Sequence, residues 1–315
     1  MGNYQNEIDL VYLWVDGSDP KWQAKRNAFI GKTEEKSTIN CKGRYADNDE
    51  LKYSLRSIEM YAPWIRKIFI VTDNQVPKWL NLSNPKIRII DHTEIMPAES
   101  LPCFNSAMIE HFIYKIPELS EKFLYANDDM FLNKAVNPDT FFTEDGLPII
   151  RLINSKLRDF FLKFKKLFLR IPIKYYIETI LHSSKLVEKK YGVKYNGKPH
   201  HNIDAYLKSD CQHTENLFKD EIEKVLSNHI RKDNDIQRIL YSYVAMAEKR
   251  CNQVFVTQKT SFRFHIQNHK HYAKLERYNP VFFCMNDSEY ANDDDRKKVT
   301  EFLSKRFPHK SQFEK

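Results

Sequence analysis

The sequence contains little glycine, no long apolar run and no closely spaced cysteine pair. Seven glycines among 315 residues exclude a collagen-like protein and a glycine-rich linker. No run approaches the roughly 18 apolar residues of a membrane-spanning helix. Residues 1–10 are polar where a signal peptide would be apolar. We therefore expect a soluble chain that is not secreted.

The cysteines and the apolar residues narrow the class further. The five cysteines are an odd number at wide spacing, and no CxxC pair indicates zinc or a redox site. Reduced thiols in a cytosolic compartment are the expected state. Hydrophobic residues make up 42% of the chain and aromatic residues 13%. This composition excludes wholesale disorder and predicts a packed core.

Positive charge is concentrated in one segment. Residues 156–190 contain ten basic and three acidic side chains, so they carry seven of the eight net positive charges. The basicity is local, and a general affinity for nucleic acid is not expected. Phenylalanines such as Phe160 and Phe164 share this segment with lysines such as Lys163, which predicts a basic amphipathic helix. Such a helix packs its apolar stripe on the core, or docks on an anionic membrane face or a polyanionic acceptor.

Strands and helices alternate in the first part of the chain. The apolar run at 8–15 predicts a buried central strand that ends at a turn. Polar residues follow later strands, with Asp73 after one and Asn127-Asp128-Asp129 after another. This pattern is typical of an α/β sheet that binds ligand along its carboxyl edge. Further strands are predicted at 67–72, 87–90 and 123–126, and helices at 50–61 and 106–114.

The second part of the chain has a less regular pattern. Residues 198–210 and 222–249 are predicted to be mostly helical, residues 253–264 to form a pair of strands, and residues 294–306 to form a final helix. We find no internal repeat and no long low-complexity segment. We therefore expect the second part of the chain to extend the α/β part and not to form a repeat array.

The strongest local signal for chemistry is the triplet Asn127, Asp128 and Asp129. Paired carboxylates on a strand-end loop suit a hard divalent cation such as Mg2+, which prefers oxygen ligands. The same triplet also occurs as an ordinary helix cap or loop, so the triplet alone leaves both interpretations open. Neither GxxxxGK[ST] nor GxGxxG occurs, which removes the main support for a P-loop or a Rossmann dinucleotide site.

Three other positions carry groups that could act on a substrate. Glu110, on the helix before that strand, is either an acid/base or ligand-orienting group or a surface glutamate. His200 and His201 offer imidazole for proton transfer or phosphate stabilisation, or form a solvated loop pair. Arg231 could clamp a phosphoryl group through its planar fork, or begin a helix.

The turn after the first strand is equally open. Asp16 and Asp19 could bind a ribose or a base, or merely shape the turn.

Long stretches in a fixed order resemble the conserved blocks of the Stealth family, the bacterial capsular-polysaccharide phosphotransferases. The first is IDLVYLWVDGSDP at 8–20, and the second runs from RYADNDELKYSLRS at 44–57 to LPCFNSAMIEHFIYKIPELSEKFLYANDDMF at 101–131. PHHNIDAY at 199–206 resembles a third block, and CMND at 284–287 with FLSKRFPHKSQFE at 302–314 a fourth. The blocks are also similar to the catalytic subunit of the animal lysosomal-enzyme N-acetylglucosamine-phosphotransferase.

The resemblance implies transfer of a sugar 1-phosphate from a nucleotide sugar, typically a UDP-sugar, to a hydroxyl of a polysaccharide acceptor. The reaction would leave UMP and a phosphodiester, with Mg2+ or Mn2+ as cofactor. The diphosphate P–O bond breaks and the anomeric C–O bond survives, so the anomeric configuration is retained. The implied place is capsule or other surface-polysaccharide synthesis in the cytoplasm, with possible peripheral contact to the inner membrane face through residues 156–190.

The resemblance also implies roles for individual positions. Asp128 and Asp129 would hold the metal, and Asp129 would also take part in catalysis. Glu110 would belong to the active-site helix, His201 matches the catalytic histidine, and Arg231 matches the arginine downstream of it. The positions that would bind the donor or line its pocket are Trp14, Asp16, Gly17, Arg44, Asn48, Asp73, Asn127 and Asn286.

We accordingly divide the chain into three parts. Residues 1–150 form a nucleotide-sugar-binding α/β part with a sheet similar to glycosyltransferase-A or Rossmann-like sheets. Residues 151–195 form a basic helical insert, and residues 196–315 complete the same catalytic domain. Two alternatives stay open: a metal-dependent glycosyltransferase that releases UDP, and a non-catalytic polysaccharide- or membrane-binding module.

Overall fold

The computed structural model describes residues 7–30, 43, 45–155 and 174–315 of the chain. Its main sheet has five strands in the order β3-β2-β1-β4-β8. Strands β1, β2, β3 and β4 are parallel to one another, and β8 is antiparallel to β4. The strands are β1 Ile8–Leu13, β2 Ile68–Thr72, β3 Ile87–Asp91, β4 Lys122–Asn127 and β8 Asp204–Leu207.

Two small sheets extend this architecture. One has the order β10-β11-β5 and the other β7-β6-β9. The first is anchored by antiparallel pairing of β11 with β5, which follows β4 after a short turn. The strands are β5 Met130–Leu132, β6 Ile149–Ile153, β7 Lys198–Pro199, β9 Asn252–Phe255, β10 Ser261–His265 and β11 Phe282–Asn286.

Both faces of the main sheet are covered. Val11 and Phe69 point into one apolar cluster, whereas Leu10 and Ile70 point into the other, as alternation along a strand requires. Every residue of β1 and β2 is buried, which fits strands in the middle of a parallel sheet. The helices are Pro20–Asn27, Glu50–Tyr61, His92–Ile95, Ser106–Glu110, Tyr175–Tyr191, Lys208–Leu217, Lys219–Glu223, Ile239–Ala247, Lys270–Tyr278 and Asp293–Arg306.

The predicted fold class is confirmed: a central sheet of mostly parallel strands is flanked by helices. The strand predicted at 8–15 is the central one, although it ends at Leu13. The helices predicted at 50–61 and 294–306 are present within one residue. The helix predicted at 106–114 stops at Glu110 and continues as a separate 3-10 turn, Ile113–Lys115.

Two predictions for the second part of the chain are wrong. Residues 198–210 form β7 and β8 and become helical only from Lys208. Pairing of β8 with β4 decides this, and such pairing is invisible to local periodicity. Residues 224–238 are non-helical between the two flanking helices. Within that stretch Asn228 donates to Asp235 Oδ1 at 2.7 Å, so side chains satisfy groups that a helix would pair internally.

The strands predicted at 253–264 exist but do not pair with each other. β9 pairs with β6, and β10 pairs with β11. The Phe-rich stretch of the predicted basic helix lies outside the described residues. The described helix Tyr175–Tyr191 buries Ile180 and Val187 against Ile239–Ala247. None of the helices in the described ranges is both long and apolar enough to cross a membrane.

Candidate active site

A cavity of about 220 Å3 lies at the carboxyl edge of the main sheet. β1, β2 and β4 are neighbours there, so the residues that follow them meet at one place. We call this cavity the cleft. Most of the predicted site residues line it, namely Trp14, Asp73, Glu110, Asn127, Asp128, Asp129, His201, Arg231 and Asn286.

Three predicted residues lie beside the cleft without lining it, and Arg44 is outside the described residues. Asp16 shapes its turn, because its Oδ1 accepts from the Ser18 backbone N–H at 2.8 Å and from the Ser18 hydroxyl at 2.6 Å. A Cβ at Gly17 would lie 2.3 Å from the backbone oxygen of Tyr45, so only glycine allows this approach. Asn48 donates through its amide to Glu50 Oε1 at 2.7 Å.

Asp73 forms an ion pair at the cleft, whereas His200 lies outside the cleft. Both carboxylate oxygens of Asp73 accept from Lys25 Nζ, at 2.7 and 2.8 Å. His200 is buried and bridges Asp204 at 2.9 Å and Ser261 at 3.0 Å, so it has a structural role. Only the second member of the histidine pair, His201, faces the cleft.

One wall of the cleft carries the carboxyl groups of Glu50, Asp128 and Asp129, and we call it the acidic wall. Asp128 is half-buried, and its pKa is raised well above the usual range, first by loss of solvent and then by the charges of Asp129, Glu50 and Asp47. Burial also raises the pKa of Glu50 to about 8 and that of Asp47 to about 6. The ionised forms of these neighbouring carboxyl groups repel one another. A bound cation would relieve that repulsion.

Asp129 is held by residues of β11, the middle strand of the small sheet β10-β11-β5. Asn286 Nδ2 donates to Asp129 Oδ2 at 2.5 Å, and the Cys284 thiol approaches the same oxygen at 3.4 Å. Burial raises the pKa of Asp129, and these hydrogen bonds together with the charge of Arg263 oppose the rise. Asp129 Oδ1 is buried and has no hydrogen-bond partner among the residues the structure describes. This oxygen is the one that a cation or a substrate would engage.

His201 is tied to the same residue through Asn286. Its Nε2 lies 3.2 Å from Asn286 Nδ2. Because the carboxylate of Asp129 can only accept, the Asn286 amide nitrogen faces both neighbours and donates to both. His201 Nε2 is therefore the acceptor in this hydrogen bond. His201 also has a positive φ of 58°, in the left-handed region.

These groups fit a divalent cation. Ligand atoms of Asp129, His201 and Cys284 lie within 4.8 Å of one another. The pKa of the Cys284 thiol is raised well above its usual range, by burial and then by the charge of Asp129. The thiol therefore remains protonated beside the carboxylate, and oxygen is the chief ligand of the wall. Oxygen ligands and concentrated negative charge favour a hard ion.

Arg231 lies in the cleft with neutral partners. Its guanidinium donates to the Tyr45 hydroxyl at 3.1 Å and to Ser106 Oγ at 3.1 Å, and it also stacks over the Tyr45 ring at 5.5 Å. The Tyr45 hydroxyl in turn donates to the Phe104 carbonyl at 3.1 Å. Each of these contacts orients the fork without neutralising its charge. The arrangement suits an anionic oxygen of a ligand.

Glu110 is buried at the end of its helix. Burial raises its pKa, and the charge of Arg238 opposes that rise. The Tyr125 hydroxyl lies 2.9 Å from Glu110 Oε1 and 2.7 Å from Asn127 Oδ1. The Tyr125 hydroxyl donates to Glu110 Oε1, and this hydrogen bond, like the charge of Arg238, opposes the rise in the pKa of Glu110. Glu110 Oε2 lacks a hydrogen-bond partner within the described part of the chain.

Sequence reasoning missed several residues of this site. Tyr45 and Glu50 lie in the stretch that resembles the second family block, so the block itself was the available signal. No sequence pattern marked Arg238 as a site residue, because it comes to lie buried beside Glu110 only when the chain folds. Tyr176 comes from the basic segment, and its ring packs edge-on against His201 with centroids 5.9 Å apart.

Comparison with known proteins gives matches to two family models and to whole proteins. Residues 6–34 match Stealth protein conserved region 1, and residues 44–150 match conserved region 2. A capsular polysaccharide phosphotransferase of Haemophilus influenzae is 35% identical over 298 residues, covering 91% of this chain and 79% of that protein. An exopolysaccharide phosphotransferase of Lactiplantibacillus plantarum is 32% identical over 335 residues, covering 98% and 96%.

Among solved structures, the galactosyltransferase LgtC in complex with donor and acceptor sugar analogs aligns over 94% of this chain and 95% of its own, at 11% identity and a TM-score of 0.46. The stretches that contain His201, Arg231 and Asn286 lie beyond both matched regions of the family models. The matches assign no role to an individual residue, so the roles of all the predicted site residues stay predictions.

Proposed function

The chain belongs to the Stealth family, and on this premise we propose that it transfers a sugar 1-phosphate from a nucleotide sugar to a hydroxyl of a polysaccharide acceptor. The relatives are named as phosphotransferases of capsular polysaccharide and exopolysaccharide. The observation that carries the proposal is that the acidic wall with Asp128 and Asp129 lines the same cleft as Arg231 and His201. Phosphoryl transfer requires mainly positioning and neutralisation of charge.

The acidic wall would hold Mg2+ or Mn2+ through Asp128 and Asp129. When bound, the ion would neutralise charge on the diphosphate of a UDP-sugar donor. The unpartnered Asp129 Oδ1 is the oxygen available for this role. Asn286 and Cys284 fix the other oxygen and thus the orientation of the carboxylate. This support from neighbouring donors is what a precise metal ligand needs.

Arg231 would bind the equatorial oxygens of the transferred phosphoryl group. Its two neutral hydroxyl partners leave its charge for the ligand while fixing the plane of the fork. The guanidinium of Arg231, already held in place, would stabilise the negative charge that develops on those oxygens in the transition state. Trp14, Asn127 and Asp73 line the cleft with it, as expected of a donor pocket.

His201 would take the proton of the acceptor hydroxyl. Its Nε2 carries a lone pair that now accepts from Asn286, and an acceptor hydroxyl would take the place of that hydrogen bond. The acceptor oxygen then forms a P–O bond, and the P–O bond to the leaving UMP breaks with its electron pair. Glu110, whose pKa burial raises, is better suited to donate a proton than to remove one.

The nucleotide product tests this proposal. We would incubate the protein with Mg2+, a panel of UDP-sugars and a capsule-type oligosaccharide primer, and separate nucleotides by anion exchange. Primer-dependent UMP that EDTA abolishes is the expected result, and Asp129→Asn should abolish it while the exposed Asp139→Asn should not. Release of UDP would make the protein a glycosyltransferase. Primer binding without any nucleotide product would favour a binding module.

We also propose how the parts of the chain cooperate and where it works. Residues 1–150 and 196–315 would form one catalytic unit, because β4 pairs with β8 and β5 pairs with β11. The charge of residues 156–190 would hold the enzyme at the cytoplasmic face of the membrane. Equal recovery of the wild type and a charge-neutralised segment in the membrane fraction would contradict the second proposal.

A further inference from the structure

A second cavity, of about 250 Å3, lies outside the cleft. It is formed by the sheet β7-β6-β9 and by the loop that precedes β7. We call it the loop cavity. Its lining residues come from three segments, 152–155, 194–197 and 253–255, together with Met246. The site described above uses none of them.

The lining of the loop cavity combines polar side chains with apolar ones, among them one exposed aromatic ring. Asn154, Asn196 and Gln253 supply amides, each of which can both donate and accept hydrogen bonds. Phe255 is 50% exposed on the edge strand β9. Asn196 Oδ1 has no hydrogen-bond partner among the described residues, so the protein leaves this amide incompletely satisfied. Amides that bond hydroxyls beside an aromatic ring that packs on C–H groups are suited to a sugar.

The loop that carries Asn196 is held rigidly. The Tyr195 carbonyl accepts from Ser184 Oγ at 2.8 Å, and the Gly197 carbonyl accepts from the Tyr243 hydroxyl. The rings of Tyr195 and Tyr243 stack with centroids 5.4 Å apart. The loop is therefore fixed on both sides of Asn196, which lowers the entropy lost when a ligand binds.

Glycine at 197 is part of this fixed geometry. A Cβ there would lie 2.7 Å from Leu152 Cδ1, so the loop packs directly on β6.

A residue that lines the loop cavity and a residue that lines the cleft are close to each other in the sequence. The loop continues into β7 and then into His200 and His201, so Asn196 and His201 are five residues apart. Five residues span at most about 18 Å. An oligosaccharide whose reacting hydroxyl lies at His201 would need only a few sugar units to reach the loop cavity. The cleft itself is occupied by the donor in the proposed reaction, so further acceptor units must lie outside it.

We propose that the loop cavity binds the acceptor glycan, at sugar units adjacent to the one that carries the attacking hydroxyl. The inference rests on the proposed function, because it assigns the acceptor of that reaction. Phe255 would pack on a sugar ring while Asn196 and Gln253 bind its hydroxyls. Lys194, another lining residue, would favour an acceptor that already contains phosphodiesters.

The test uses acceptors of different length and variants of two residues that line the loop cavity, the exposed Phe255 and the half-buried Asn196. The probes are N-acetylglucosamine, its neutral tetrasaccharide and a phosphodiester-linked tetramer of N-acetylhexosamine. Phe255→Ala and Asn196→Ala should raise the KM for the productive tetramer roughly three- to tenfold. The donor KM, the kcat at saturating tetramer and the KM for the monosaccharide should stay within about twofold. Leu82→Ala and Asn137→Ala, at exposed positions elsewhere, serve as matched controls.

Binding without a donor separates this inference from the proposed reaction. Isothermal titration of the wild type with each tetramer should show binding that Phe255→Ala weakens, whichever nucleotide product the enzyme releases. An equal KM change for monosaccharide and tetramer would overturn the inference. So would unchanged tetramer KM in both variants, or a wild type that binds neither tetramer. Tetramer binding with no transfer would contradict only the proposed function.

Discussion

Arg238 Nε lies 3.7 Å from Glu110 Oε1, and both side chains are buried at the wall of the cleft. The same guanidinium reaches Asp204 Oδ2 at 3.1 Å and lies over the Tyr125 ring at 4.5 Å. Arg238 thus connects the cleft to the edge strand β8. Its charge opposes the rise in the pKa of Glu110 that burial causes.

Replacing Arg238 should alter both stability and catalysis. Arg238→Gln leaves the buried Glu110 and the half-buried Asp204 without this cation, and we expect a loss of about 3–5 kcal/mol in the free energy of unfolding. Turnover should fall about 100-fold if Glu110 is displaced by about 1 Å. Arg238→Lys keeps the charge and should lose less of both. Chemical denaturation and steady-state kinetics measure the two effects.

A pH profile distinguishes positioning of Glu110 from a purely structural role. Without the Arg238 charge the pKa of Glu110 should rise further, which moves one limb of the kcat/KM profile to higher pH. Glu110→Gln in the Arg238→Gln background should then add little. If the profile keeps its shape and the two changes are additive, Arg238 acts on the fold alone.

His201 should be essential for turnover but not for folding. Asparagine tolerates the left-handed backbone of this position, so His201→Asn removes the imidazole with little strain. We expect kcat to fall about 10²- to 10⁴-fold, with the free energy of unfolding within about 0.5 kcal/mol of the wild type. The exposed His309→Asn is the matched control. Near-normal turnover of His201→Asn would assign the base to another group.

The fork of Arg231 and its support by Tyr45 can be separated. Arg231→Lys keeps the charge but loses the planar geometry, and kcat should fall about 10²- to 10³-fold. Tyr45→Phe keeps the ring beneath the guanidinium and removes two hydrogen bonds, the one accepted from Arg231 and the one donated to the Phe104 carbonyl, which should lower kcat by less than about tenfold. Equal losses in both variants would show that the hydroxyl, and not the fork, is required.

The acidic wall predicts a stability that falls as the pH rises. Burial raises the pKa of Glu50 to about 8, so between its unfolded value near 4.5 and about 8 the folded state binds more protons than the unfolded state. The free energy of unfolding then decreases with pH, by at most about 1.4 kcal/mol per unit for this group. In EDTA, thermal unfolding should occur at lower temperature at pH 8 than at pH 5.

Bound metal should oppose that trend, and substitution of Glu50 should weaken it. Mg2+ should raise the unfolding temperature more at pH 8 than at pH 5, because ionised carboxylates bind it. Glu50→Gln should flatten the pH dependence in EDTA, whereas the exposed Asp139→Asn should leave it unchanged. A wild-type stability that is flat or rising over this range would contradict the assignment of the wall.

The acidic residues at the strand ends could be predicted from the local sequence pattern alone. β1 and β4 are apolar runs that end in polar residues, and Asp128 lies where a parallel sheet puts its carboxyl edge. By contrast, residues 204–207 carry no sign that they will pair with β4, and the predicted helix there was wrong. The segment around Arg231 was likewise predicted as helix, yet its buried polar contacts to Tyr45 and Ser106 hold it in a turn.

The amino-acid sequence by itself determined the α/β class, the central strand and nine of the residues that line the cleft. Periodicity, turn residues and family blocks are local features, and local features can be read without coordinates. Only the tertiary structure decided that Arg238 lies beside Glu110, that Asn286 joins Asp129 to His201, and that Glu50 shares the acidic wall. These relationships join residues distant in sequence, and burial, which shifts their pKa values, exists only once the chain is packed.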